Sequence, residues 1–204
     1  MASVYELKSG FQNLLRPIVR KLARAGVTAN AVTLFALALS LATGAWLALA
    51  PEYAAPYFAY PVVLFLRMAL NAIDGMLARE FNQKTGLGAF LNELGDVLSD
   101  AALFLPLAFI PGASPLLAAL FVVLALATEV AGLAAPAVGA SRRYDGPMGK
   151  SDRAFWIGAF MLFAGIWKDL RPWIDPLLAV LALLCLPTIA NRIRKALREA
   201  GRAR

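Results

Sequence analysis

Apolar residues along this chain come in long blocks rather than in the short alternations of a sheet, and proline, glycine or charge separates one block from the next. Six blocks cover residues 30–50, 55–79, 88–110, 115–138, 153–170 and 173–191, each near the roughly 20 residues a helix needs to cross a bilayer. The fifth is the weakest, since its clean apolar run, Ala154 to Trp167, is short and Lys168, Asp169 and Arg171 follow at once. Residues 1–27 obey a different rule. Val4, Leu7, Phe11, Leu14, Leu15, Ile18 and Leu22 recur at helical spacing, with Lys8, Arg16, Arg20, Lys21 and Arg24 mostly on the other side. That pattern predicts an amphipathic helix on a membrane surface, kinked at Pro17, and its scattered charges do not fit a cleavable signal. The expected architecture is an all-α integral membrane protein: a juxtamembrane amphipathic helix over 1–27 and six transmembrane helices over 30–191. Without an internal repeat or a linker, residues 1–204 read as one domain.

Composition strengthens this reading. Apolar residues make up 60% of the 204 and charged residues 16%, against roughly half apolar in a soluble domain. Histidine is absent and Cys185 is the single cysteine, which excludes intrachain disulfides, histidine or cysteine metal cages, and Ser/His or Cys/His nucleophile schemes. Any chemistry falls to carboxylates, amides and basic groups, and oxygen donors favour a hard cation such as magnesium, manganese or calcium.

The net charge of +7 matters through its placement. Apart from Arg67, Lys168 and Arg171, every Lys and Arg lies in the N-terminal stretch, near the loops at 80–87 and 139–152, or in the C-terminal tail. The positive-inside rule then puts both termini and those two loops in the cytoplasm. The basic excess accordingly points to membrane orientation and anionic phosphates, not to nucleic acid. The run Asn191 to Arg198 reads as an anchor at anionic lipid, and Trp46, Tyr53, Tyr57, Trp156, Trp167 and Trp173 as interface aromatics.

Against this apolar background the stretch NAIDGMLAREFNQKTGLGAFLNELGDVLSD, from residue 71, is out of place. Acids within a membrane helix are costly and mark function by default. Asn71 and Asp74 share one helical face near the inner end of the second span, and Asn92 and Asp96 share one near the inner start of the third. A turn of only about eight residues joins these spans, so they are expected to be neighbours, giving a four-point oxygen site open to the cytoplasm. Gly75 and Ala78 are small enough to admit a flat ligand or another helix, with Arg79 one turn on from Gly75, and Gly88 does the same at the entry to the third span. Asp100 continues the Asn92 and Asp96 face about 6 Å deeper, while Glu93 points elsewhere. Arg67 lies near the level of Asp100, and Glu129 of the fourth span near that of Asn71. Arg67 is expected either to stitch helices together through Asp100 or Glu129, or to bind a substrate phosphate. In the loop after the fourth span, Arg142, Arg143, Lys150 and Arg153 are candidates for phosphate binding, and Asp152 for a helix N-cap.

Asp74-Gly75-x-x-Ala78-Arg79, eight residues, Gly88, three residues, Asn92, three residues, Asp96 resembles the signature of the CDP-alcohol phosphotransferases, D-x-x-D-G-x-x-A-R-x8-G-x3-D-x3-D. The six spans, the amphipathic N-terminal helix, Gly26-Val27-Thr28-Ala29-Asn30 before the first span and Gly149-Lys150 in the basic loop are similar as well, so the resemblance covers nearly the whole chain. It implies a transferase of phospholipid biosynthesis that moves a phosphatidyl group from CDP-diacylglycerol to a small alcohol and releases CMP. It further implies a Mg2+ or Mn2+ cofactor at Asn71, Asp74, Asn92 and Asp96, with Asp96 as general base for the acceptor hydroxyl. Donor binding is implied for Asp74, Gly75, Ala78, Arg79, Gly88, Lys150 and Arg153. Membrane lipid and a second copy of the chain are the implied partners, and a bacterial inner membrane the implied location.

The departure is that the signature's first and third aspartates are Asn71 and Asn92 here. An amide oxygen ligates but carries no charge, so the set holds −2 instead of −4, which favours one divalent ion over two. Two other readings stay open on the sequence. One is a member of this fold that binds CDP-lipid without turnover, and the other is a cation- or proton-coupled transporter.

Overall fold

Three helices in this chain begin where a Thr or Ser hydroxyl accepts from a free amide of the first turn. The structure is a computed structural model and describes residues 4–202, with side chains from residue 10. Arg204 and the side chains of Val4, Leu7 and Lys8 lie outside the described part. Helix α1 (Val4–Arg24) runs uninterrupted through Pro17. It closes on Gly26 at φ +76°, where the Gly26 amide donates to Ala23 O and the Val27 amide to Leu22 O, a turn that needs a left-handed residue. Thr28 Oγ1 then accepts from the Ala31 amide at 3.1 Å and starts α2 (Ala29–Leu49). After α3 (Ala54–Glu80), Thr85 Oγ1 accepts from the Gly88 amide at 2.9 Å and starts α4 (Gly86–Phe104). Ser114 caps α5 (Pro115–Leu133), and α6 (Lys150–Ile166) and α7 (Ile174–Arg202) complete the chain.

Several boundaries depart from the apolar blocks, each for a local reason. Pro106 cannot donate into an α-helical ladder, so the third block splits into α4 and a 3₁₀ segment, Leu105–Phe109. Pro136 does the same to the fourth, leaving a 3₁₀ segment at Ala135–Val138. The fifth block shifts: α6 starts at Lys150 and stops at Ile166, and Lys168–Trp173 is a separate 3₁₀ turn. Asp152 is the third residue of α6, not its cap; Gly149 is the cap, and its amide donates to Asp152 Oδ2 at 2.9 Å. Helix α7 continues to Arg202, well past the apolar stretch that ends near 191. Loss of apolar residues does not end a helix whose polar residues are good helix formers. Among the described residues, four helical stretches are long and apolar enough to cross a membrane: Ala29–Leu49, Ala54–Glu80, Pro115–Val138 and Lys168–Arg202.

The packing puts α2 against both α3 and α4, α3 against α6, and α5 against α7. Glycines let backbones approach, as small residues do in membrane bundles. A Cβ on Gly44 would lie 1.9 Å from Ala102 O, and one on Gly88 2.7 Å from Asn30 Oδ1, so α2 and α4 are in close contact along their length. Helices α3 and α4 do not pack on each other in this way, although their connecting turn is short. The expectation that they would be neighbours is therefore corrected: α2 lies against both, and long polar side chains bridge the gap between them.

Two apolar cores flank that gap. The larger includes Tyr60, Phe104, Phe121, Met161, Leu178 and Cys185, and Tyr60 Oη donates to Leu103 O at 3.0 Å. At its end Arg171 lies over the Tyr57 ring at 4.2 Å and donates to the Pro51 and Glu52 carbonyls. The smaller core, with Val19, Val32, Ile73, Met76 and Leu77, holds α1 against α2 and α3, aided by an Arg16–Glu80 ion pair at 3.1 Å. Leu41, Leu49, Phe65, Leu116 and Leu183 face outward, the surface a lipid environment accepts.

Candidate active site

Four helix turns deliver the polar residues to the gap between α3 and α4. The three-residue step from Asn71 to Asp74 and the four-residue step from Asn92 to Asp96 keep each pair on one face of its helix. Asn71 Nδ2 donates to Asp96 Oδ1 across the gap at 2.9 Å. The single hydroxyl proton of Thr33 on α2 is shared between Asp74 Oδ2 at 2.8 Å and Ala29 O of its own helix at 3.1 Å. Asp74 is 4% exposed, and its Oδ1 is buried with no hydrogen-bond partner. Asn92 is half-buried one turn before Asp96.

Cations collect on Asp96. Lys150, the first residue of α6, makes an ion pair with its Oδ1. Arg67 lies 3.8 Å from the same oxygen and donates to the Asp96 main-chain carbonyl at 3.0 Å. The carboxylate's Oδ2 receives no side chain among the described residues, and Asp96 keeps 23% of its side chain exposed. One oxygen of Asp96 is thus tied down and the other is free.

Deeper in the bundle the same kind of residue is fully enclosed. Arg67 pairs with Asp100, the helix-stitching alternative of the two the sequence allowed. Arg153 is 0% exposed, and its guanidinium reaches Asp100 Oδ2 at 3.0 Å, Glu129 Oε1 at 2.9 Å, Thr128 Oγ1 at 3.0 Å and Met148 O at 3.2 Å. A donor phosphate cannot reach it, so the expectation that Arg153 binds ligand is corrected: it ties α4, α5 and α6 together from inside. Glu129 answers Arg153 and Arg192, not Arg67. Arg192, read as part of a lipid anchor, is 2% exposed and donates to Thr128 O and Asp145 O.

The remaining expected residues occupy the mouth of the site. Arg79 is exposed and folds its guanidinium back over Gly75, about 3.1 Å from where a Cβ would stand. Gly88 is filled by Asn30 of α2, so its smallness serves helix packing. Ala78 is half-buried beside the core that holds α1. Glu93 pairs with Arg142 of the loop. The same loop is latched to the end of α7: Arg143 bonds Glu199 at 2.7 Å, and Asp145 takes Arg143 at 2.8 Å and Lys195 at 2.6 Å. Burial acts to raise the Asp145 carboxyl, but the Lys195 and Arg143 hydrogen bonds outweigh it and hold the group below the ordinary carboxylate range.

Thr33, Thr128 and Arg192 went unrecognised as members of this system. Thr33 had a weak signal, being a hydroxyl three residues after Asn30 near the polar start of a mostly apolar helix.

Residues 26–190 match the profile of the CDP-alcohol phosphatidyltransferases. The chain belongs to that family. It is 47% identical over 195 residues to the inner membrane protein YnbA of Escherichia coli K12, covering 96% of each chain. The fold matches a Mycobacterium tuberculosis phosphatidylinositol phosphate synthase, PgsA1, solved with CDP-DAG bound, at TM-score 0.72 and 23% identity, over 88% of this chain and 92% of the other. A structure of PgsA1 in complex with manganese and citrate matches at TM-score 0.71, also at 23% identity, over 88% of this chain and 87% of the other. At that identity the likeness establishes the fold. As a CDP-alcohol phosphatidyltransferase the chain is a phosphotransferase, and the transport reading has no support.

The family implies a divalent ion, and the site answers in two ways. The buried, unpartnered Oδ1 of Asp74 is an oxygen lacking a positive partner, which fits a cation. On the Asp96 side the Oδ1 already meets an ammonium, an amide and a guanidinium. Among the described residues no three acidic, histidine or cysteine side chains converge as a metal cage.

Proposed function

We propose that this phosphotransferase moves a phosphatidyl group from CDP-diacylglycerol to the hydroxyl of a small alcohol, releasing CMP. The observation that carries the reading is the free Oδ2 of Asp96 beside an Oδ1 held by Asn71 and Lys150. Family membership supplies the reaction class, and PgsA1, a phosphatidylinositol phosphate synthase solved with CDP-DAG, suggests the donor.

In this reading Asp96 Oδ2 takes the hydroxyl proton as the alcohol oxygen attacks the phosphorus carried by the lipid. A new P–O ester bond forms, the pyrophosphate P–O bond breaks, and CMP leaves with the electron pair. Lys150, Asn71 and Arg67 fix the carboxylate so that only Oδ2 turns to the acceptor, which is positioning rather than proton transfer. Arg79, exposed at the mouth over Gly75, faces the donor's phosphates from the cytoplasmic side. A divalent ion held by Asp74, with the amide oxygens of Asn71 and Asn92 as weaker donors, would supply neutralisation of phosphate charge. Manganese in the PgsA1 complex is consistent with such an ion. In this reading six helices cross the inner membrane with α1 on its surface, and the placement of the basic residues supports cytoplasmic termini and a cytoplasmic site.

The test is CMP release by the purified protein given CDP-diacylglycerol and a panel of alcohols, free and phosphorylated, with and without Mg2+. Release that depends on one acceptor class identifies the substrate. No release with any acceptor, from folded protein that still binds the donor, would overturn the transfer reading.

A further inference from the structure

Asn71 and Asn92 distinguish this site from one built on four aspartates. Where the signature has its first aspartate, Asn71 presents an amide donor to Asp96 instead of a charge. Where its third stands, Asn92 again carries none. The Lys150 ammonium pairs with the last aspartate's Oδ1 in the same gap, and Arg67 lies 3.8 Å from that oxygen. Among the four residues of the signature Asp74 keeps a buried oxygen with no hydrogen-bond partner, and it is 4% exposed. Thus two neutral amides and the positive partner of Asp96 stand in one site, in which Asp74 remains an anion in want of a cation.

We propose that Lys150 is the built-in counter-cation of Asp96, taking the place of a second metal, so that this chain holds one divalent ion, at Asp74. The inference rests on the reading of this gap as a cation-dependent phosphotransfer site and deepens it. Lys150 acts through Asp96 and through the ion, as a positioning residue. It belongs to the rigid start of α6, whose Gly149 amide is held by Asp152, so the ammonium is delivered by a helix terminus instead of a mobile loop. A lysine there also explains how two asparagines are tolerated: a pair of divalent ions facing only two carboxylates would be left largely unneutralised, whereas one ion and one ammonium are not.

The experiment is Mn2+ titration of the full-length protein in detergent without substrate, followed by the spin-resonance signal of the free ion. The native protein is expected to take one Mn2+ per chain. Lys150→Met removes the positive charge paired with Asp96, and Mn2+ binding is expected to tighten about tenfold, whereas Lys150→Arg leaves it within about twofold. The combined variant Asn71→Asp, Asn92→Asp and Lys150→Met is expected to take two, with the spectral broadening of a close ion pair. Gel filtration and thermal unfolding confirm that each variant is folded. A merely structural lysine predicts no tighter Mn2+ binding on its loss. Two Mn2+ on the native protein, or unchanged or weaker binding in Lys150→Met, would overturn the proposal while leaving the site reading intact. No Mn2+ on the native protein would overturn the cation-dependent reading itself.

Discussion

Two charged clusters lie one below the other in this bundle, built from the same residue types, and they differ in whether every carboxylate has a cation beside it. Around Arg153 both carboxylates are met by arginines, Asp100 by Arg67 and Arg153 and Glu129 by Arg153 and Arg192, with Thr128 and a main-chain carbonyl completing the contacts of a guanidinium that has no exposure and whose Nε alone lacks a partner. Around Asp96 and Asp74 two oxygens remain open, Asp96 Oδ2 to the mouth and Asp74 Oδ1 inside. A closed network specifies how helices dock, while an open one has something left to bind. Arg67 joins the two, since it holds Asp100 on one side and Asp96 on the other.

The contrast is broken most severely at Arg153. Arg153→Met leaves Asp100 and Glu129 as buried carboxylates without their shared partner, a loss of about 3–5 kcal/mol. The expected outcome is little folded protein, read by gel filtration and thermal unfolding. Gly44→Ala comes next, because its Cβ would meet the Ala102 carbonyl of a neighbouring helix, which side-chain motion cannot relieve. Thermal unfolding should report about 1–3 kcal/mol of destabilisation, carried by the α2 and α4 contact and not by the site.

Thr33→Val acts on the open cluster alone. It removes the hydroxyl held 2.8 Å from Asp74, and CMP release should fall about tenfold, the equivalent of a hydrogen bond worth about 1.4 kcal/mol, with the unfolding temperature nearly unchanged. The smallest effect concerns the loop latch. Because the Asp145 carboxyl is held below its ordinary range in the folded chain, its contribution is complete above that range and is lost as pH falls through the folded value. Amide exchange in residues 140–149 should therefore quicken on going below about pH 4, and Asp145→Asn should abolish that step.

How far the sequence was legible follows from what its signals encode. Helical spacing is local, so the Asn71/Asp74 and Asn92/Asp96 faces and the Arg67–Asp100 pairing at equal depth were readable, and the structure has that pair. Apolar blocks located the helices but not their ends, which Pro106, Pro136 and the polar tail of α7 decide. Partners that come from elements distant in sequence were not readable. Lys150 meets Asp96 and Arg192 meets Thr128 only because α6 and α7 are placed by packing. The short α3 to α4 turn misled for the same reason, since Gly44 and Gly88 draw α2 close along α4.

The central claim, that the open carboxylate of Asp96 does the chemistry, is tested most directly by the rate of CMP release from Asp96→Asn compared with the native protein. The amide keeps the shape and cannot take the proton. The account predicts a fall of about 10²- to 10⁴-fold in protein that elutes and melts like the native form. A folded Asp96→Asn protein that releases CMP at the native rate would contradict it.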